Sequence, residues 1–208
     1  MTELISRPAM VKGFNLNLPE DSVVKYLQMA FSIRVRETGK TIRNSPGLQD
    51  AFKKAAHWLV APDRIGLKIL GSPGTGKSTL VKAMQDVINQ YIMSQSGCRF
   101  GLIIQPALLI VDRCLRGDPE MSITKMIERP ALAIDDLGLE PLAVKYYGSE
   151  LMPIRDIIHQ RINNDAPTII VTNLNEDDIQ KKYGERFRDR LKDMTTIILN
   201  GDSNRSNK

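Results

Sequence analysis

The residues Gly71-Ser72-Pro73-Gly74-Thr75-Gly76-Lys77-Ser78 satisfy the spacing G-x-x-x-x-G-K-[ST] at every fixed position. Glycines at these places let a loop curl until successive backbone N–H groups point at one anion. A helix starting directly behind the loop adds the positive end of its dipole. The apolar run LKIL at 67–70 comes just before the loop and a helix is predicted just after it, which is the setting this chemistry requires. Lys77 is then placed to reach the β and γ phosphates of a nucleoside triphosphate. Ser78 is placed to set its hydroxyl on Mg2+, with Thr79 as a neighbouring second hydroxyl. The expected ligands are ATP and Mg2+.

Ala131-Leu132-Ala133-Ile134-Asp135-Asp136 is an apolar run that ends in two carboxylates. A strand covered on both faces accepts charge only at its open end. Asp135 is therefore expected to hold Mg2+ directly or through water, and Asp136 to orient or deprotonate the attacking water. Thr168-Ile169-Ile170-Val171-Thr172-Asn173 repeats the pattern, and Asn173 is placed to hydrogen-bond the γ phosphate or the water. The other reading of Thr172 and Asn173 is that they cap a helix beginning near Glu176. Further on, YGERFRDRL at 183–191 sets Arg186 and Arg190 at i and i+4 on one helical face. Two guanidiniums so placed could meet a phosphate of a neighbouring subunit and stabilise the charge that builds on a transferring phosphoryl group. Pairing with Glu185 or Asp189 inside the helix is the alternative.

Positioning these groups requires strands that end at one edge. The runs at 67–70, 100–104, 131–135, 168–172 and 195–199 are the five predicted strands. The helical stretches between them predict an α/β fold with a parallel sheet. One such helix, at 149–163, carries Leu151, Ile154, Ile158 and Ile162 on one stripe. Upstream, a helix is expected at 21–37, capped by Asp21 or Ser22, and a second at 48–60 in which Trp58 packs rather than stacks on a ligand. The turn formers of ETGKTIRNSPG between them place a boundary near Pro46, so that 1–45 is a helical extension and 46–208 the core domain.

The chain has 208 residues, room for one well-buried domain. With 42% hydrophobic and 25% charged residues it has a soluble composition, and no apolar run approaches the about 20 residues of a membrane span. Its start lacks a basic segment followed by an apolar one, so a cytoplasmic location is expected. Cys98 and Cys114 show no metal spacing and read as small buried hydrophobes. From Lys181 onward eight Lys or Arg stand against four Asp or Glu, so this end carries +4 of the net +5. That suits a polyanion, or a solvated helical face in which opposite charges pair.

Together, GSPGTGKST, AIDDLG, TIIVTNL, YGERFRDRL and the final GDSNR resemble the AAA+ ATPases of the DnaC-like helicase-loader type and the related IstB transposition helpers, in order and spacing, from about residue 48 to 206. The resemblance implies a three-layer P-loop NTPase of the AAA+/ASCE kind, an ATPase that works in DNA replication. Its partner would be a replicative helicase (or a transposase), with single-stranded DNA and a homo-oligomer in the ATP state. It makes Arg190 the arginine supplied in trans, puts Arg186 on the same helical face, and makes Arg205 the nucleotide-sensing arginine of the last segment. Asp136 stands where the family's usual pair is Asp-Glu, which also suits an ATP-switched interaction module with little turnover. No cysteine cluster precedes the core, unlike the zinc-bearing loaders.

Overall fold

The computed structural model describes residues 14–39, 45–94, 101–146 and 148–199. Cys98 and the segment that carries Arg205 lie outside them. Three helices surround the first strand: α1 (Glu20–Glu37), α2 (Pro46–Val60), β1 (Gly66–Leu70) and α3 (Lys77–Ser94). The chain continues through β2 (Ile103–Pro106), α4 (Ala107–Leu115), α5 (Ile123–Glu128) and β3 (Leu132–Leu137). A short antiparallel pair, β4 (Val144–Tyr146) and β5 (Ser149–Leu151), precedes α6 (Pro153–Asn163). The last elements are β6 (Thr168–Thr172), α7 (Glu176–Tyr183), α8 (Glu185–Leu191) and β7 (Thr195–Ile198).

Five strands make one parallel sheet in the order β2-β3-β6-β1-β7. Because side chains alternate along a strand, the sheet feeds two cores. Leu67, Ile69, Ala133, Ile169, Val171 and Ile197 pack into one with α1, α2 and α3. Leu70, Leu132, Ile134 and Ile170 pack into the other with α4 to α8. The result is three layers, and a sheet covered on both faces explains why the strands read as continuous apolar runs.

β6 lies between β1 and β3, with Leu70 opposite Thr172 and Leu137 opposite Thr172 across the two pairings. Gly71 and Asn173 therefore leave the sheet at the same edge near which Asp135 and Asp136 stand, at the end of β3. This is where ligands sit in open α/β sheets.

Several elements differ from the sequence expectation. The second strand begins at Ile103 rather than Phe100, and the third runs on to Leu137. The expected helix at 149–163 starts only at Pro153, because 149–151 pair with 144–146; Leu151 is thus on a strand and not on the helical stripe. Pro153 at the first helical turn fits its fixed φ and missing N–H. α1 has Pro19 at its N-cap with no side-chain cap, so neither Asp21 nor Ser22 plays that part. By contrast Ser45 accepts from Leu48 N at 3.2 Å and caps α2, with Pro46 directly behind it.

Val23, Leu27 and Phe31 of α1 share one core with α2 and α3, although a turn-rich segment separates them in sequence. Trp58 is buried, its Nε1 donating to Arg64 O at 2.9 Å. Cys114 is half-buried and donates to Met121 O; burial pushes its thiol up. Arg161 is 0% exposed and spends its donors on backbone oxygens: Nη1 reaches Met126, Ile127 and Arg129, and Nη2 reaches Pro167. Its Nε donates to Thr168 Oγ1 at 2.9 Å, and burial brings its pKa down to about 10.

Candidate nucleotide-binding site

The loop between β1 and α3 is built on positive-φ glycines: Gly71 at 149°, Gly74 at 85° and Gly76 at 98°. At Gly71 a Cβ would stand 2.1 Å from Leu199 O, so only glycine lets β7 close against β1 there. Thr75 is buried and donates from Oγ1 to Ser72 O at 2.9 Å, which pins the curl; Ser72 and Pro73 are exposed. Lys77 is buried as well, and its Nζ donates to Gly71 O at 2.7 Å and Ser72 O at 2.8 Å. The ammonium thus lies inside the loop, at the start of an 18-residue helix whose positive end adds to the field. Ser78 and Thr79 follow in the first helical turn.

Ser78 Oγ donates to Asp135 Oδ1 at 3.0 Å. The same oxygen accepts from Asp136 N at 2.9 Å, and burial raises the Asp135 pKa against the opposing effect of the Ser78 bond. The β3–β6 register slips between Ile134 and Leu137, so the two carboxylates occupy a bulge. Asp136 takes φ of 54°, a conformation uncommon for a non-glycine residue, and its side chain is exposed while Asp135 is buried. The carboxylates therefore sit just inside the end of β3 at Leu137, one buried and the other exposed.

Asn173 leaves β6 between the loop and this bulge, and it is exposed. Asn175, not Asn173, caps α7 by accepting from Asp178 N at 2.8 Å. Thr172 instead ties β6 to β3, donating to Leu137 O at 2.7 Å and accepting from Leu174 N at 3.0 Å. Asn173 is thereby left out of the capping that the alternative reading gave it.

Arg186 and Arg190 lie on α8, which packs with α6 and α7 under the sheet face opposite α3. Both are exposed and line a cleft of about 220 Å3 with Arg155, His159 and Phe187. Arg190 Nη1 donates to Asn163 Oδ1 at 2.9 Å. The residue that pairs inside the helix is Arg188, with Asp189 at 2.9 Å and Glu185 at 3.8 Å. The structure thus gathers Lys77, Ser78, Asp135, Asp136 and Asn173 at one edge and holds the two arginines apart from them.

Sequence reading passed over Glu140, Lys182 and Tyr183. Glu140 is 2% exposed, its Oε2 accepts from Gly138 N at 2.9 Å and its Oε1 from the Tyr183 hydroxyl. Lys182 Nζ donates to the carbonyls of Gly138 and Glu140, each at 2.6 Å. A glutamate in a polar turn carries no signal of burial.

The sheet order, the glycine loop ahead of α3 and the carboxylates on the strand two places away define a three-layer α/β fold of the P-loop NTPase kind. The resemblance to the DnaC-like helicase loaders is borne out by similarity to particular proteins. The replicative helicase loader DnaC of Escherichia coli (strain K12) is 29% identical over 140 residues, covering 65% of this chain and 54% of that protein. The chain spans about half the length of the curated relatives it matches. A crystal structure of the DnaC helicase loader superposes with a TM-score of 0.60 at 21% identity, covering 84% of this chain and 98% of that one. The replication initiator DnaA bound to AMPPCP and single-stranded DNA superposes with a TM-score of 0.56 at 15% identity, over 77% of this chain and 49% of that one. No protein-family model matches the chain.

Proposed function

We propose that the chain is an ATP-hydrolysing, DnaC-like loader of a replicative helicase, whose ATP site is completed in trans by the arginine helix of the next subunit in an oligomer on single-stranded DNA. The observation that carries the reading is the Ser78–Asp135 hydrogen bond, which joins the phosphate loop to the carboxylate bulge across β6. Similarity to DnaC supports the helicase as partner.

The donor set suits Mg2+. A serine hydroxyl and a carboxylate are hard oxygen ligands, and among the described residues no group of three or more His, Cys, Asp or Glu could cage a metal. That is the sparse protein ligation Mg2+ uses when phosphates fill the rest of its shell. Bound there, it would neutralise charge on the β and γ phosphates. Lys77 would exchange its two loop carbonyls for phosphate oxygens at little rearrangement, since the loop already holds the ammonium in place. Asp136, exposed beside Asp135, would accept a proton from or align the attacking water, and Asn173 would hold that water or the γ phosphate. Arg190, with Arg186 on the same face, would supply positive charge to the neighbouring site.

The test is ATP turnover measured over a range of protein concentrations, with and without single-stranded DNA. Turnover per subunit that rises with concentration and with DNA, and is lost in Arg190→Ala, supports the reading. Turnover independent of concentration and retained in Arg190→Ala removes the trans arginine. Retention of a hexameric helicase on the immobilised chain tests the partner.

A second reading is favoured by one observation. Asp136 is one methylene shorter than a glutamate, and its backbone is held by the Asp135 carboxylate. The chain would then be an ATP-switched interaction module with little hydrolysis, and Asp136→Glu would raise its turnover.

A further inference from the structure

Asp136 and Arg190 belong to opposite ends of the proposed chemistry, yet a buried polar cluster links their elements within one molecule. Directly after the carboxylate bulge the chain turns: Leu139 N donates to Asp136 O at 3.2 Å, and Gly138 has φ of 111°. The turn leaves Leu139 exposed and drives Glu140 inward. There both Glu140 oxygens are occupied, one by Gly138 N of the same turn and one by the Tyr183 hydroxyl. Lys182 closes the arrangement from the other side through the Gly138 and Glu140 carbonyls.

Lys182 and Tyr183 are the last two residues of α7, and Gly184 with φ of 91° is the single residue before α8. The Tyr183 ring packs on Phe187 of α8 with centroids 4.7 Å apart. Phe187 is buried between Arg186 and Arg190 in sequence, so the ring that receives the clamp anchors the helix that displays both guanidiniums. A buried carboxylate with both oxygens paired, an ammonium on two carbonyls and a ring stack make a joint with little freedom. Burial and the Glu140 carboxylate both push the Tyr183 phenol up, so it remains a donor across the working pH range.

We propose that Glu140, Lys182 and Tyr183 are positioning residues that lock the arginine helix α8 to the carboxylate turn of the same subunit, so that the geometry of one nucleotide site sets how Arg190 is offered to the next. The inference rests on the trans reading of Arg190. Its physical content is that α8 follows the turn at 136–140 as one body, with Gly184 taking up the angle between α7 and α8.

Mixing subunits tests it. Lys77→Ala subunits cannot turn over ATP yet still present Arg190, and Arg190→Ala subunits have an intact loop but present no arginine. Only mixed interfaces are active. Glu140→Gln is then placed on the Lys77→Ala donor, and Tyr183→Phe, which keeps the ring on Phe187, on a second donor. Turnover at the neighbouring site is expected to fall in both, towards the about hundredfold that a displacement of about 1 Å inflicts on a catalytic group. Nucleotide affinity of the Arg190→Ala partner and the extent of co-assembly stay unchanged. Full turnover with both altered donors overturns the inference and leaves the trans reading standing. An inactive mixture of the two unmodified parents overturns both.

Discussion

The Phe31 ring of α1 lies 3.0 Å from the point where a Cβ at Gly76 would stand, so the first helix is packed against the phosphate loop itself. Phe31 is also edge-on to Phe52 of α2, with centroids 5.4 Å apart at 81°. The helix preceding the turn-rich segment thus supports the back of the loop. Phe31→Ala is expected to lower stability by about 3 to 5 kcal/mol in urea denaturation and to weaken binding of a fluorescent ATP analogue, with Phe31→Leu milder in both. Loss of stability with unaltered nucleotide affinity would show that the helix supports the fold and not the loop.

On the proposed trans role of Arg190, Arg190→Ala is expected to reduce turnover about 1,000-fold or more while ATP binding to the isolated subunit persists, because an arginine finger acts on the transition state. Arg188→Ala is the comparison. Its guanidinium is engaged by Asp189 and Glu185, so its loss should leave turnover close to that of the parent.

Asp135→Asn should make the protein more stable and less functional together. The carboxylate is buried, and desolvation disfavours its charge, whereas an Asn oxygen at the same place can still accept from Ser78 and from Asp136 N. A thermal melt without nucleotide is expected to shift upward, and the added stabilisation by ATP with Mg2+ to disappear. A downward shift of the melt would mean that the charge itself holds the bulge together.

Arg161→Met removes the guanidinium from the carbonyls of Met126, Ile127 and Arg129, while Pro167 O keeps the bond from Leu132 N at 3.1 Å. A buried acceptor stripped of its donor costs about 1 to 3 kcal/mol, so the loss should be at least about 3 kcal/mol in denaturant unfolding. Arg161→Lys should recover little, since an ammonium cannot span that fan of carbonyls.

His57 joins α2 to the start of α1, with Nδ1 3.1 Å from Glu20 and Nε2 3.5 Å from Asp63. The hydrogen bond to Glu20, and the charges of Glu20 and Asp63, raise its pKa above the ordinary histidine value. A raised folded pKa means that its contribution is complete below the unfolded value of about 6.5 and is lost as pH rises through the folded one. The parent should therefore lose stability relative to His57→Gln over that rise. The difference should be small and fade with salt, because the pair is exposed. Identical pH profiles would count against the link.

Much of the candidate site was legible because the chemistry proposed for it requires particular residue types at fixed spacing. The loop at 71–78, Asp135 and Asn173 announce themselves, since glycines must curl and apolar strands must release their polar residues at one edge. The parallel sheet was legible for the same reason: strands buried on both faces are apolar throughout. Helix 149–163 misled because the apolar stripe of β5 and α6 is continuous, and only the pairing of 149–151 with 144–146 breaks it.

Other features had no one-dimensional signal. Lys68, in the middle of a run that reads as apolar, is buried and paired with Glu176, 108 residues on. Glu140 and Arg161 look like surface charges until the fold buries them among partners distant in sequence. That two carboxylates sit in a bulge, and that Phe31 backs the loop at Gly76, depend on register and layer packing. The sequence by itself determined the groups of the candidate nucleotide site, because local spacing dictates the chemistry proposed for them. Only the tertiary structure decided which elements hold those groups still, because burial and long-range pairing arise when the layers close.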